Sequence, residues 1–167
     1  RDLVRSRGLG DVYKRQTLHT NDAAGGVTRM LDMGVEDYLL SSTVNGILAQ
    51  RLVRRLCPDC REPYEALPEM VREMRLDRFT DGDTVTLYKP VGCESCGGTG
   101  YKGRAAILEL LIMSDPIRRL VMRRAESGDI FEAAQKDGMT SMYDDGLAKS
   151  VAGITTVEEV LRVTQEG

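Results

Sequence analysis

The chain has 167 residues, of which 41% are hydrophobic, so it can bury a core as one domain or two small ones. Its formal net charge of -3 argues against a nucleic-acid binder, which needs a basic surplus on one face, and the absence of tryptophan removes an aromatic stacking platform. Because no apolar run approaches membrane-spanning length, we predict a soluble protein.

Residues 1–16 are unusually basic and have neither helical nor strand periodicity. They are not a targeting signal, because they contain no continuous apolar region and no cleavage-site pattern. We therefore predict a disordered tail that is foreign to the protein, a scar of cloning or of sequence assembly. Residues 17–21 are then typical of the end of a strand that runs into a polar loop.

Two helices and a strand are predicted next. The first helix is capped by Asn21 or Asp22 and ends at Gly34. The second covers residues 36–50, whose apolar side chains fall on one helical face. Residues 51–56 predict a strand that leads into the first cysteine pair. The arginines on and after this strand are interpreted as a solvated face or a subunit contact, with acidic phospholipids as an alternative partner: Arg51, Arg54, Arg55 and Arg61.

All four cysteines of the chain lie in two Cys-x-x-Cys hooks. Tetrahedral zinc needs four donors at about 2.3 Å, and each hook presents two sulfurs on one side of a tight bend. We therefore predict a structural Zn²⁺ site with a closed shell that leaves no position for substrate. Residues 97–100, Gly-Gly-Thr-Gly, tolerate positive φ and let backbone N–H groups turn toward the sulfurs. The predicted ligands are Cys57, Cys60, Cys93 and Cys96.

Other roles for these cysteines stay open. A redox pair needs one motif at the end of a strand in a βαβ unit, and nothing after Cys60 is typical of an active-site helix. Disulfides are disfavoured because thiols stay reduced inside cells, and buried cysteines without a partner are a further alternative. Residues 93–100 also resemble one repeat of the DnaJ-type chaperones, but that family uses several copies and the first hook lacks the glycines.

Between the hooks, residues 69–75 predict a short charged helix and residues 85–88 a short strand. Residues 104–112 are the best strand candidate in the chain, and we predict that they pair antiparallel with residues 51–56. The zinc module is then an elaborated hairpin between two paired strands. The metal would fix a long loop whose own core is too small to order it.

Four helices are predicted after this strand, and their apolar stripes are assigned to the core. The first begins at a capping Ser-Asp-Pro sequence, the second covers residues 129–136 and the third residues 141–151. The last begins at the Thr-Thr pair before position 157. Glu158 and Glu159 offer it a capping box.

The order of these motifs resembles the secretion ATPase superfamily. Residues 17–23, Thr-Leu-His-Thr-Asn-Asp-Ala, are similar to its His box, and residues 49–54, Ala-Gln-Arg-Leu-Val-Arg, to the segment after it. The tetracysteine module and residues 153–160, Gly-Ile-Thr-Thr-Val-Glu-Glu-Val, complete the pattern. The resemblance is closest to the type II secretion ATPase, with the type IV pilus assembly ATPase as the alternative.

The resemblance implies a mixed fold, α+β or α/β. It consists of a C-terminal remnant of a RecA-like P-loop ATPase domain, an inserted tetracysteine zinc module and a C-terminal helical bundle. Residues 1–16 are the tail, residues 17–56 the end of the ATPase domain and residues 57–103 the zinc module. Residues 104–167 are a strand that returns to the ATPase sheet, followed by the helical subdomain.

The resemblance also implies a hexameric cytoplasmic motor, peripheral at the bacterial inner membrane, that couples ATP hydrolysis to pseudopilus assembly. Its partners would be inner-membrane secretion platform proteins, and the full-length protein would use ATP and Mg²⁺. This chain contains no Gly-x-x-x-x-Gly-Lys-[Ser/Thr] sequence, so we predict a C-terminal fragment that is inactive by itself.

His19 is the single histidine of the chain. Considered without the resemblance, it is either a loop histidine with a satisfied hydrogen bond or a functional residue. The resemblance implies that His19 reaches the γ-phosphate side of the nucleotide, where an imidazole can donate to a phosphoryl oxygen. A stand-alone zinc module that binds unfolded protein is the competing function for the whole chain.

Overall fold

The computed structural model describes residue 18, residues 20–82 and residues 84–165. The predicted tail, residues 1–16, and His19 lie outside the described residues. Within these ranges the chain is mixed α/β, as predicted, and none of its helices has the length and apolar character to cross a membrane. The strands are β1 (Gly46–Leu56), β2 (Glu62–Glu65), β3 (Thr86–Lys89) and β4 (Tyr101–Ile112). The α-helices are α1 (Ala23–Asp32), α2 (Asp37–Thr43), α3 (Pro68–Met74), α4 (Asp115–Met122), α5 (Ser127–Lys136), α6 (Met142–Val151) and α7 (Val157–Gln165).

Strands β1 and β4 form a long antiparallel pair from which the cysteine module extends. The register runs from Gly46 opposite Ile112 to Leu56 opposite Tyr101, with an irregularity just before Leu56. The predicted antiparallel pairing is therefore confirmed, and it is longer than predicted at both ends.

The second predicted helix is wrong in its second half. Helix α2 ends at Thr43, and residues 46–50 belong to β1. Their side chains alternate between the two faces of the strand: Ile47 is half-buried, while Leu48 is 58% exposed. Isoleucine, leucine, alanine and glutamine are compatible with a helix, but the ladder offered by β4 overrides this local preference. Gly46 fits this pairing, because a Cβ there would lie 3.0 Å from the Leu111 carbonyl oxygen.

The main apolar cluster lies between the inner face of this strand pair and four helices, α1, α2, α4 and α5. Its buried members come from the strand pair and from all four helices, and they define which face of each helix points inward. They are Ala23, Ala24, Val27, Leu31, Leu40, Leu111, Met113, Ile117, Val121, Ile130 and Ala134. The predicted apolar stripe of the helix after β4 therefore lies in the core, and so does the inner face of α1.

The long insertion between the hooks has an apolar cluster of its own. Strands β2 and β3 pair antiparallel, and α3 lies between them in sequence. The predicted short helix and short strand correspond to α3 and β3, whereas β2, which reads Glu-Pro-Tyr-Glu, was not predicted. The cluster is completed by side chains of α6 and α7, and its buried members are Ala66, Leu76, Val85, Leu87, Leu147 and Val157. The prediction that this loop has too small a core needs correction, because the C-terminal helices supply the missing half.

The four C-terminal helices form where the sequence predicts them. The Ser141 hydroxyl accepts from the Asp144 N–H at 3.1 Å and caps α6. The Thr156 hydroxyl accepts from the Glu159 N–H at 3.3 Å at the start of α7. The other half of the predicted capping box is wrong, because the Glu159 carboxylate binds arginines instead of returning to the cap.

Candidate metal centre

The two cysteine hooks stand at the open end of the β1–β4 pair. Cys57 follows the last residue of β1, and the second hook is followed within a few residues by β4. The Cys57 N–H donates to the Gly100 carbonyl at 2.9 Å, which continues the ladder past the ends of both strands. Pairing of two distant stretches thus brings the hooks face to face.

Each hook is a tight turn. In the first, the Arg61 N–H donates to the Cys57 carbonyl at 3.1 Å, and in the second the Gly98 N–H donates to the Cys93 carbonyl at 2.9 Å. Gly97 has φ 62°, in the left-handed region that glycine enters without a steric cost. Such turns put both sulfurs of a hook on the same side of the backbone.

The four sulfurs form one compact group. All four Sγ atoms lie within 4.8 Å of one another, and none of the cysteines is in a disulfide. The shortest Sγ–Sγ separations are 3.9 Å for Cys57–Cys93, 3.9 Å for Cys60–Cys96 and 3.8 Å for Cys93–Cys96. Four sulfurs at about 2.3 Å from a tetrahedral zinc are about 3.8 Å apart, so the group has the size of a metal shell. It could hold a metal ion.

Backbone donors surround one of these sulfurs. The Cys96 Sγ accepts from the N–H groups of Cys93 and Gly100, each at 3.2 Å. The hydrogen bond from Cys93, together with that from Gly100, lowers the pKa of the Cys96 thiol to about 6. Desolvation raises the pKa of Cys60 to about 12. Four neighbouring thiols therefore do not all ionise by themselves, and a divalent cation is the partner that would make four thiolates compatible.

The hook end of the module is fastened to the segment between α6 and α7. The Leu56 N–H donates to the Ile154 carbonyl at 2.8 Å, and the Arg61 guanidinium donates to the Gly153 carbonyl. Gly153 has φ 70°, and a Cβ there would lie 2.8 Å from the Tyr88 ring. We call residues 153–156 the latch, because they hold the module against the C-terminal helices. The sequence indicated this glycine as the first residue of the family motif at residues 153–160, but it did not predict these contacts.

A buried carboxylate strengthens the same attachment. The Glu159 side chain is 2% exposed and accepts from the Arg54 guanidinium at 2.7 Å and from the Arg54 N–H at 2.9 Å. Arg162 donates to both of its oxygens at 3.0 Å. Desolvation opposes ionisation, but the hydrogen bonds from Arg162 and Arg54 outweigh it and lower the pKa of Glu159 to about 2. Glu159 thus joins α7 to the strand that leads into the first hook.

The arginines of β1 are therefore not simply a solvated face. Arg51 donates to the Val163 carbonyl and, at 3.1 Å, to the side chain of Asn21. Arg54 and Arg61 are bound as described above, and Arg55 is exposed. Three of these four guanidinium groups therefore bind the C-terminal helices or the latch, although the Arg54 side chain is still 53% exposed. The alternative of a subunit contact stays a prediction.

A second buried carboxylate, which the sequence analysis missed, lies on β4. Glu109 is 3% exposed and accepts from the Ala23 N–H at 2.6 Å and from the Met142 N–H at 3.1 Å. Two helix N-termini thus converge on one negative charge, an arrangement that helix dipoles favour. The clue in the sequence was a single acidic residue inside the otherwise apolar run of residues 105–112. This carboxylate holds α1, which begins at the last residue of the predicted His box.

The His box itself is described only around its histidine. Leu18, Thr20 and Asn21 line a cavity of about 190 Å³ together with Gly26 and β1 residues 47–50. His19 lies outside the described residues, so its predicted role remains a prediction.

A mixed α/β chain with a tetracysteine hairpin and a His-box sequence is what the secretion ATPase resemblance predicted. The sequence model of the family described as "Type II/IV secretion system protein" matches residues 11–162. The chain therefore belongs to this family, and the predicted family membership is confirmed.

Curated relatives agree with this assignment. The chain is 55% identical over 150 residues to the type II secretion system protein E of Xanthomonas campestris, covering 90% of this chain and 26% of that protein. It is 47% identical to the type II secretion system ATPase E of Vibrio cholerae, covering 90% of this chain and 29% of the relative. For the type IV pilus assembly ATPase PilB of Thermus thermophilus, identity is 47% over 90% of this chain and 17% of the relative. The chain thus spans less than a third of each relative.

Proposed function

We propose that this chain is the C-terminal part of a hexameric cytoplasmic ATPase that powers type II protein secretion by driving pseudopilus assembly. The observation that carries the proposal is the 55% identity to a type II secretion system protein E over nearly the whole chain. Residues 17–56 and the strand β4 would then belong to a RecA-like ATPase domain. Inner-membrane secretion platform proteins and acidic phospholipids would be its partners at the membrane.

A type IV pilus assembly ATPase is the second candidate, and the similarity to PilB supports it. A complementation experiment with a full-length protein that contains this chain distinguishes the two candidate functions. The full-length protein should restore secretion to a bacterium that lacks its type II secretion ATPase. Restoration of pilus assembly without secretion would favour the second candidate.

The tetrad Cys57, Cys60, Cys93 and Cys96 is proposed to bind one structural Zn²⁺. The sulfur separations and the backbone donors at Cys96 support it, since both are what a tetrathiolate shell requires. Four protein ligands leave no position for substrate, so the metal would stabilise the fold and take no part in hydrolysis. Plasma mass spectrometry of the reduced protein should find about one equivalent of zinc, and less than about half would contradict the site.

The nucleotide chemistry is assigned to the full-length protein, with ATP and Mg²⁺ as cofactors. His19 is proposed to donate to the γ-phosphate, and the isolated chain, which contains no glycine-rich phosphate loop, should neither bind nor hydrolyse ATP. A contact that strengthens as charge shifts among phosphoryl oxygens matters most in the transition state. His19→Ala in the full-length enzyme should therefore lower kcat about ten- to a thousand-fold and change nucleotide affinity only a few-fold.

Cys57→Ser is the matched comparison for His19→Ala. It should lower folded yield, hexamer assembly and secretion first, and leave the surviving hexamers with substantial turnover. Both variants are measured as size-selected hexamers at saturating Mg-ATP. Intact Cys57→Ser hexamers that are as inactive as His19→Ala would mean that the metal is coupled to catalysis.

A further inference from the structure

A concave surface lies where the cysteine module meets the first turn of α7. It encloses about 530 Å³, enough for one or two side chains of a bound molecule. Three half-buried tyrosines, one proline and two charged residues line it, and neither the metal nor the proposed nucleotide chemistry uses them. They are Tyr64, Tyr88, Lys89, Pro90, Tyr101 and Glu158, and we call this surface the tyrosine groove.

Two of the three tyrosine rings of this groove are held in place by arginines that do not line it. Arg61 stacks on Tyr88 with its guanidinium carbon 4.8 Å from the ring centroid, and Arg54 stacks on Tyr101 at 4.2 Å. The Tyr101 hydroxyl also lies 3.4 Å from the Thr156 hydroxyl. Side chains that are already ordered lose little entropy when they bind, so the groove is preorganised.

The charges at the groove leave one carboxylate available. Glu158 is exposed, and in the described part of the chain it forms no salt bridge, whereas its neighbour Glu159 binds two arginines. Lys89 lies 3.3 Å from Glu62, so its charge is already balanced. Glu158 and Tyr64 line the same groove, and burial, reinforced by the charge of Glu158, raises the pKa of Tyr64.

We propose that the tyrosine groove docks a lysine or arginine side chain presented by a partner protein. Tyrosine faces attract cations through the ring quadrupole, and a carboxylate at the rim adds direct charge attraction. Pro90 and the ring edges give the apolar stem of such a side chain a surface to cover. An anionic phospholipid headgroup would meet a lysine, Lys89, that is already paired with Glu62, and it would be repelled by the Glu158 carboxylate.

The test uses the zinc-loaded chain with its tyrosine rings labelled with ¹³C. The chain has six tyrosines and no tryptophan, so few aromatic signals need assignment. The probe is acetyl-Pro-Lys-Pro-amide, and acetyl-Pro-Glu-Pro-amide is its control. The lysine peptide should shift the signals of Tyr64, Tyr88 and Tyr101 in a saturable way at about millimolar concentration, and the glutamate peptide should not.

Two pairs of variants test whether the lysine peptide binds in the tyrosine groove. Glu158→Gln should weaken the lysine peptide about two- to five-fold, whereas Glu69→Gln, an exposed glutamate in the first turn of α3, should not. Tyr64→Leu should weaken it by a similar factor, whereas Tyr38→Leu on α2, which is 56% exposed, should not.

Three outcomes would overturn the proposal. The first is the absence of any saturable shift up to about 20 mM peptide while the spectrum shows a folded chain. The second is equal binding of the two peptides. The third is binding of phosphatidylglycerol vesicles that shifts these tyrosines and is strengthened by Glu158→Gln, since a lipid surface would then be the occupant.

Discussion

The two ends of the inserted module are held by different forces. At the hook end, Cys57 is the only one of the four cysteines that is buried, and order there depends on turns, sulfurs and the latch. At the far end, Leu76 and Leu87 are 0% and 1% exposed and pack in one cluster with Leu147 and Val157. One end is therefore fixed by a few directional bonds, and the other by burial of apolar area.

The difference shows how a small insertion can be ordered without a complete core. Ligation and hydrogen bonds are strong only when every partner is in place, whereas apolar burial is lost gradually as area is exposed. Both ends of the module contact α6, α7 or the segment between these two helices. Removing metal, removing apolar area and removing charge should therefore disturb different parts of the module.

Removing the proposed zinc should have the largest effect. Structural zinc contributes about 10–16 kcal/mol of apparent binding free energy in small zinc peptides, which the hook end cannot replace with burial. Hydrogen exchange of the chelated protein should show residues 57–61 and 90–100 losing protection. Loss over the whole of residues 62–92 is what the sequence alone predicts. Because the apolar cluster at the far end does not depend on the metal, we expect residues 66–87 to keep part of their protection.

Readdition of zinc should restore the original exchange pattern, which separates metal loss from aggregation. Equal loss of protection at both ends would mean that the apolar cluster cannot order its end without the metal. The comparison between the two ends would then be wrong.

Leu87→Ala should have the next largest effect, acting on the far end. Truncation of a fully buried leucine leaves a cavity and typically costs about 2–5 kcal/mol. Urea unfolding should show this loss, while metal analysis of the folded variant still finds about one equivalent of zinc. Leu67→Ala is the control in the same insertion, since that side chain is 65% exposed and should change stability by less than about 0.5 kcal/mol.

Glu159→Gln should have the smallest of the three effects, about 2 kcal/mol at pH 7, because charge-assisted hydrogen bonds to Arg54 and Arg162 are weakened. The pKa of Glu159 falls from its ordinary 4.5 to about 2 on folding, so the ionised form stabilises the fold above pH 4.5. That contribution is lost as the pH falls toward 2. The difference in unfolding free energy between wild type and variant, measured with urea, should therefore shrink between pH 5 and pH 2.

Glu158→Gln is the control for this experiment, because its carboxylate forms no salt bridge in the described part of the chain. Metal release at low pH affects wild type and both variants alike, so the difference isolates the carboxylate. A Glu159→Gln effect that does not change with pH would show that packing, and not charge, is what this residue contributes.

The sequence by itself determined the features that depend on neighbouring residues. The spacing of the cysteines defined two turns, and the glycines after α1 and α5 ended those helices, with φ of 87° at Gly34 and 96° at Gly138. The apolar run at residues 105–112 and the apolar stripes of the C-terminal helices predicted elements that the structure contains. The family motifs also lie in sequence order, which is why the family could be named from them.

Only the tertiary structure decided what depends on residues far apart in the chain. Residues 46–50 became a strand because β4 supplied a partner, against their local helical pattern. Glu159 binds Arg54 across 105 positions of sequence, and Glu109 binds the Ala23 N–H across 86. No sequence window spans such separations, and a carboxylate looks the same in the sequence whether it faces water or two helix ends. Its role is set by which groups folding brings within about 3 Å of it, and that follows from packing of the whole core.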